Sequence, residues 1–250
     1  MSDLVQLSIQ ASGAAEITIH RPERHNAMTQ GMYESLLECI AECGRNSLVR
    51  AILFRGAGGK SFISGTDIAH FADFQRGEQG IAYEAFVEKV IDTVERIAVP
   101  TIAVIDGWAV GGGLALATAC DFRLCSSGSR FGAPIAKTLS NTLSSRNIAR
   151  LQAALGVPRV KKMLLLAEYL DATEVLDCGF VYAACAPEQL TERAHALAER
   201  LMALSGVTQH AVKESLRRIV IEQSLEDDDL VHAVYASASF HQGVAKFLKR

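Results

Sequence analysis

The chain has 250 residues, 49% hydrophobic and 21% charged, with a formal net charge of −3. This length allows one large domain or a core with an appendage, and the composition is that of a globular enzyme. The charge balance speaks against bulk nucleic-acid binding, and no run approaches the roughly 20 apolar residues a membrane helix needs.

The opening segment MSDLVQLSIQ has neither the basic start nor the apolar stretch of a secretory signal. Cysteines stand at 39, 43, 120, 125, 178 and 185, mostly in apolar runs and never as C-x-x-C. They are expected to be reduced and buried, in a cytoplasmic protein. No His or Cys grouping has ligand spacing, so no metal is expected.

In chain order, residues 4–10 and 15–20 read as two short strands separated by ASGA. A polar loop, RPERHNAM, leads to Thr29, where the pattern predicts a capped amphipathic helix ending near Gly44. VRAILFRG (49–56) reads as a β-branched strand, and FISGTDI (62–68) as a turn into helix-like sequence. Residues 80–98 carry Val87, Val90, Ile91, Val94 and Ile97 on one helical face. Glu84, Glu88 and Glu95 are assigned to its solvated face. Pro100 ends that helix, and TIAVIDG follows as a buried strand. This alternation favours an α/β layered core. From about residue 145 the chain reads as largely helical, closing on an amphipathic tail at 226–250.

Two turns are built for close backbone approach. One is Ser64-Gly65-Thr66-Asp67; the other is Gly111-Gly112-Gly113, where an apolar run opens into a helix. Glycine permits positive φ and leaves no Cβ between a ligand and the N–H groups. A helix N-terminus adds unpaired donors. Two such donors converging on one point would form an oxyanion hole, worth about 3–4 kcal/mol per donor. Each turn alone is equally explained by helix packing or by an Asp67 cap. GWAVGGG has neither the spacing of a dinucleotide fingerprint nor the lysine of a P-loop.

The segments HRPERHNAM, VRAILFRGAGGKSFISGTDI, VPTIAVIDGWAVGGGLALATACDFRL and HQGVAKFLKR occur together in this order. In order and spacing the chain resembles the enoyl-CoA hydratase/isomerase (crotonase) family over about residues 4–250. The resemblance implies an α/β fold, a crotonase-like spiral of ββα-type units with a helical C-terminal trimerisation region. It implies a spiral core over residues 1–195, an oligomerisation region over 196–250, and a homotrimer or dimer of trimers. The implied substrate is an acyl-CoA thioester; coenzyme A enters as part of it, with no prosthetic group, nucleic acid or membrane partner.

By the same resemblance, the backbone N–H groups of Thr66 and Gly112 would hold the thioester oxygen. Ser64, Gly65, Asp67, Ile68, Trp108, Gly111, Ala115, Pro134 and Ile135 would line the substrate site. Arg24, Phe240, Phe247 and Lys249 would meet the coenzyme A portion. Two glutamates usual in the family are replaced, at Ala115 and at Ile135 after Pro134. Water addition needs a base and an acid, which methyl and butyl groups cannot supply. The polar stretch 137–147 offers Asn141 and Ser144 as substitutes, and helix 80–98 offers Glu88. The readings are therefore a hydratase/isomerase-type enzyme working through a thioester enolate, a decarboxylase of the same superfamily, or a non-catalytic acyl-CoA binder.

Overall fold

A computed structural model describes residues 4–249; Met1, Ser2, Asp3 and Arg250, which the expected domain limits include, lie outside the described residues. Strands β1 (Val5–Ile9) and β2 (Ala14–Ile19) form an antiparallel pair, with Val5 opposite Ile19. Parallel to β2 run β3 (Ala51–Gly56), β5 (Thr101–Ile105), β7 (Phe122–Ser126) and β10 (Ala183–Cys185), giving a six-stranded sheet. A second sheet takes β4 (Ser61–Ile63), β6 (Trp108–Val110), β8 (Arg130–Gly132) and β9 (Leu170–Asp171), in that order.

The chain alternates between the sheets in a repeating unit. β3 passes to β4 and then to α2 (Gly77–Glu95). β5 passes to β6 and then to α3 (Gly112–Ala119). β7 passes to β8 and then to α4 (Ser145–Leu155). These are successive ββα turns, and each crosses from the large sheet to the small one.

Period-two burial explains the layering. In β3, Ile52 and Phe54 face the main core, whereas Ala51 and Leu53 face a second core under α7 (Pro187–Met202). In β5, Ala103 and Ile105 join the first core, Ile102 and Val104 the second. A strand buried on both sides reads as an unbroken apolar run, as AILF and TIAVI do. Full burial of a side chain such as Phe54 stabilises the fold by about 1.5–3 kcal/mol.

Helix α1 (Gln30–Arg45) starts where expected: Thr29 is its N-cap, and the Thr29 hydroxyl accepts the Met32 N–H at 3.3 Å. Helix α2 buries Val87, Val90, Ile91 and Val94, beginning and ending three residues earlier than the periodicity predicts. Its acidic residues correct the expectation of a solvated face. Arg150 of α4, with its side chain 2% exposed, donates from Nη1 to Glu88 at 2.8 Å and from Nε to Glu95 at 2.9 Å. A guanidinium buried here demands carboxylate partners, so Glu88 and Glu95 clamp α2 to α4.

The remaining helices are α5 (Val157–Leu165), α6 (Ala172–Asp177), α8 (Gly206–Arg217), α9 (Asp228–Tyr235) and α10 (Ala238–Leu248). Residue 195 lies inside α7, which packs Leu190, Ala194, Leu197 and Leu201 on the large sheet, so the helix runs unbroken across the expected boundary. In α9 only Leu230 is buried, and in α10 no residue is; Phe247 and Leu248 stand exposed. All six cysteines are free, five buried and Cys178 half-buried. Among the described residues no helix is long and apolar enough to cross a membrane.

Candidate active site

The site is built where two ββα turns meet. After β4 the chain turns through Ser64, Gly65 and Thr66. The Met28 N–H donates to the Gly65 carbonyl at 2.8 Å, and the Asp67 N–H donates to the Met28 carbonyl at 2.9 Å. This bridge bonds both neighbours of Thr66 and passes over the Thr66 amide. After β6, Gly111 takes φ +54° and donates its N–H to the Gly132 carbonyl at 3.0 Å. Helix α3 begins at Gly112, whose N–H belongs to the first helical turn and has no intrahelical acceptor. Neither the Thr66 nor the Gly112 amide is engaged in the hydrogen bonding of the fold.

The two turns abut. A Cβ at Gly65, where φ is +100°, would lie 3.7 Å from the Gly112 nitrogen, and one at Gly111 would lie 3.7 Å from Gly65 Cα. A Cβ at Gly113 would fall 2.1 Å from the Ile63 carbonyl oxygen, so α3 is seated directly on the end of β4. The triple glycine therefore serves close packing and also leaves the amide at 112 uncovered.

A cavity of about 610 Å³ opens over this junction. Ser64, Gly65, Thr66, Asp67, Ile68, Gly111 and Gly112 form one wall. Arg24, Trp108, Pro134, Ile135 and Asn141 line it elsewhere. Four residues expected there from the resemblance are not among its walls. Ala115 is 3% exposed within the main core, because α3 turns that position away from the opening. Phe240 and Phe247 line a separate hollow formed by α8, α9 and α10, and Lys249 caps α10. Ser144, proposed as a polar substitute, is the N-cap of α4; its hydroxyl accepts the Asn147 N–H at 3.2 Å and donates to Glu88 at 3.0 Å. Glu88, engaged with Ser144 and Arg150, is absent from the cavity wall.

Asp67 behaves as a structural cap. Its Oδ1 accepts the Ala69 N–H at 3.1 Å and its Oδ2 accepts from Arg21 Nη1 at 2.7 Å. The Arg21 hydrogen bond, helped by the Ala69 amide, holds its carboxyl below the usual range.

The structure also brings in groups that the sequence reading missed. Tyr83 and Glu84, both on α2, line the cavity with Phe71, Leu143 and Tyr169. The Thr66 hydroxyl lies 2.9 Å from Tyr33 Oη and 2.7 Å from Tyr83 Oη, so three hydroxyls run in a chain beside the turn. A Cβ at Gly112 would meet Tyr33 Oη at 2.8 Å, which places that chain against both turns. Burial raises the pKa of both phenols, so they remain neutral hydroxyls. Glu84 Oε2 accepts the Ser144 N–H at 2.7 Å. Burial raises the Glu84 pKa, the Ser144 N–H opposes this, and nearby Glu88 adds to the rise. Tyr83 lies four residues before Val87 and Glu84 three before it, on the flanks of the apolar stripe, but this spacing does not separate Glu84 from the other acidic residues of α2.

Comparison with known proteins places the chain in a family. The enoyl-CoA hydratase/isomerase family model matches residues 10–250. The short-chain-enoyl-CoA hydratase of Clostridium acetobutylicum is 31% identical over 204 residues, covering 82% of this chain and 77% of that protein. The crotonyl-CoA hydratase of Syntrophomonas wolfei is 26% identical over 240 residues, covering 94% and 92%. The crystal structure of an enoyl-CoA hydratase/carnithine racemase from Magnetospirillum magneticum superposes with a TM-score of 0.89 at 28% identity, over all of this chain and 94% of that one. The fold is thus the crotonase fold, and the chain belongs to the enoyl-CoA hydratase/isomerase family.

Proposed function

We propose that this protein is an acyl-CoA enzyme acting through a thioester enolate whose oxygen rests between the Thr66 and Gly112 amides. One observation carries the reading: two abutting turns line one cavity, and each contains a main-chain N–H, at Thr66 and at Gly112, that the fold engages in no hydrogen bond. Breaking a C–H bond beside a thioester gathers negative charge on the carbonyl oxygen. Backbone donors fixed by strand ends and a helix start meet that charge without reorganisation. Ile68, Phe71, Ile135 and Leu143 offer an apolar wall for the acyl chain, and Arg24 a cation for the coenzyme A phosphates. The relatives named as hydratases of enoyl-CoA and crotonyl-CoA support the substrate class.

Ala115 and Ile135 stand where the resemblance puts carboxylates, which favours proton transfer at the α-carbon over water addition. The exposed apolar side chains of α9 and α10 support assembly into a trimer or a dimer of trimers. The test is the infrared carbonyl stretch of butyryl-CoA labelled with carbon-13 at the thioester. A shift to lower frequency on binding is expected. Tight binding with an unshifted carbonyl favours a silent binder, and carbon dioxide release from malonyl-CoA assigns decarboxylation.

A further inference from the structure

The cavity wall holds two carboxylates, Asp67 and Glu84. Asp67 is committed through both oxygens, to Arg21 and to the Ala69 amide. Glu84 differs. Its Oε2 is held by the Ser144 N–H at 2.7 Å, and its Oε1 has no hydrogen-bond partner among the described residues. The carboxylate is therefore oriented through one oxygen and available through the other.

Its surroundings make this arrangement specific. Ser144 is the N-cap of α4, and its hydroxyl is itself tied to Glu88, which Arg150 holds in turn. The clamp between α2 and α4 thus sets the position of the Ser144 amide and, through it, of Glu84. The adjacent residue, Tyr83, is fixed to the Thr66 hydroxyl at 2.7 Å, so one stretch of α2 is anchored both to the oxyanion turn and to the α4 start.

We infer that Glu84 is the proton-transfer group of this enzyme, exchanging a proton with the substrate carbon beside the thioester. The inference rests on the enolate reading given above. In the step, the α C–H bond breaks and its proton bonds to Glu84 Oε1. The C–H electron pair becomes the carbon–carbon double bond of the enolate, and the carbonyl π pair moves onto the oxygen held by the two amides. Return of the proton to carbon reverses every change, so no co-reactant is consumed. A partly desolvated carboxylate is suited to carry a proton in both directions. Ser144 acts as a positioning residue through its main-chain amide, which every substitution except proline keeps.

The experiment follows α-deuterium incorporation into butyryl-CoA in heavy water by mass spectrometry, alongside the carbonyl stretch as a separate readout of the amides. Wild-type protein is expected to exchange and to shift the carbonyl. Glu84→Gln, which keeps the acceptor for Ser144, is expected to lose about 100-fold or more in exchange while the carbonyl shift persists. In Glu84→Ala, added formate is expected to restore part of the exchange, an effect a merely structural role would not give. Should Glu84→Gln fail to fold, Glu84→Asp withdraws the oxygen by one methylene and is expected to slow exchange about 10-fold or more. Unchanged exchange in Glu84→Gln or Glu84→Asp overturns the assignment and leaves the enolate reading standing. A wild-type protein that shifts the carbonyl without exchange overturns the assignment together with α-proton transfer, leaving only carbonyl polarisation by the amides. An unshifted carbonyl in the wild type overturns the enolate reading itself.

Discussion

Tyr33 of α1 and Tyr83 of α2 meet on one atom, the Thr66 hydroxyl, at 2.9 and 2.7 Å. This junction joins the first two helices to the turn that carries the amide at 66. Tyr33 is 2% exposed and has Thr66 as its one hydroxyl partner among the described residues. Thr66→Val keeps the shape and removes the hydroxyl, leaving a buried phenol unsatisfied. The expected loss is about 1–3 kcal/mol, measured by urea unfolding, with Thr66→Ser close to wild type.

Gly65 takes φ +100°, and an added Cβ would lie 3.3 Å from the Val110 carbonyl oxygen and 3.7 Å from the Gly112 nitrogen. Gly65→Ala is expected to cost about 1–3 kcal/mol through backbone strain. It would also crowd the junction of the two turns. Acyl-CoA affinity is expected to fall about 10-fold or more in calorimetric titration, beyond what the lowered Tm explains.

Arg150 is buried and satisfies Glu88 and Glu95 together, with Asp92 Oδ1 a further 3.7 Å from its Nη2. Arg150→Met would leave these carboxylates gathered without a cation. A loss of about 3–5 kcal/mol is expected from denaturant unfolding. Because Glu88 holds the Ser144 hydroxyl, turnover of any accepted thioester should fall in the same variant even where it remains folded.

Glu214 accepts two hydrogen bonds from Arg217, both at 2.8 Å, and one from Arg218 at 3.0 Å. The Arg217 contact, more than any other, lowers its pKa from 4.5 to about 2. The unfolded chain therefore binds this proton more readily than the folded one. The stabilisation is present in full above the ordinary value of 4.5 and is lost as pH falls towards about 2. The stability gap between wild type and Glu214→Gln should be widest near neutrality and close on acidification through that window, as read from thermal melts at stepped pH.

The framework was legible because its signals are local. Thr29 announces a helix start, β3 and β5 are unbroken apolar runs, and glycines mark the two turns at 65 and 111–113. The α2 side of the pocket was not legible, for a physical reason. Glu84, Glu88 and Glu95 look alike in sequence, and acidic residues on an amphipathic helix usually face water. Only the position of α4 separates them: Arg150 claims Glu88 and Glu95, while the Ser144 amide claims one oxygen of Glu84. That sorting depends on a segment about sixty residues further along the chain. Helix periodicity sees only neighbours three and four apart and cannot reach it. Likewise Ala115 looks pocket-facing by its place after the glycines, yet packing of α3 on β4 turns it into the core.

The amides at 66 and 112 belong to the peptide chain itself, so any exchange of side chain at either position other than to proline leaves the N–H in place. A gene lineage carrying this scaffold can alter the side chains along one wall of the pocket or another, by single codon changes, without first dismantling this pair of main-chain groups. Inheritance of the backbone and turnover of the side chains around it are thereby uncoupled, and new chemistry can be tried one residue at a time.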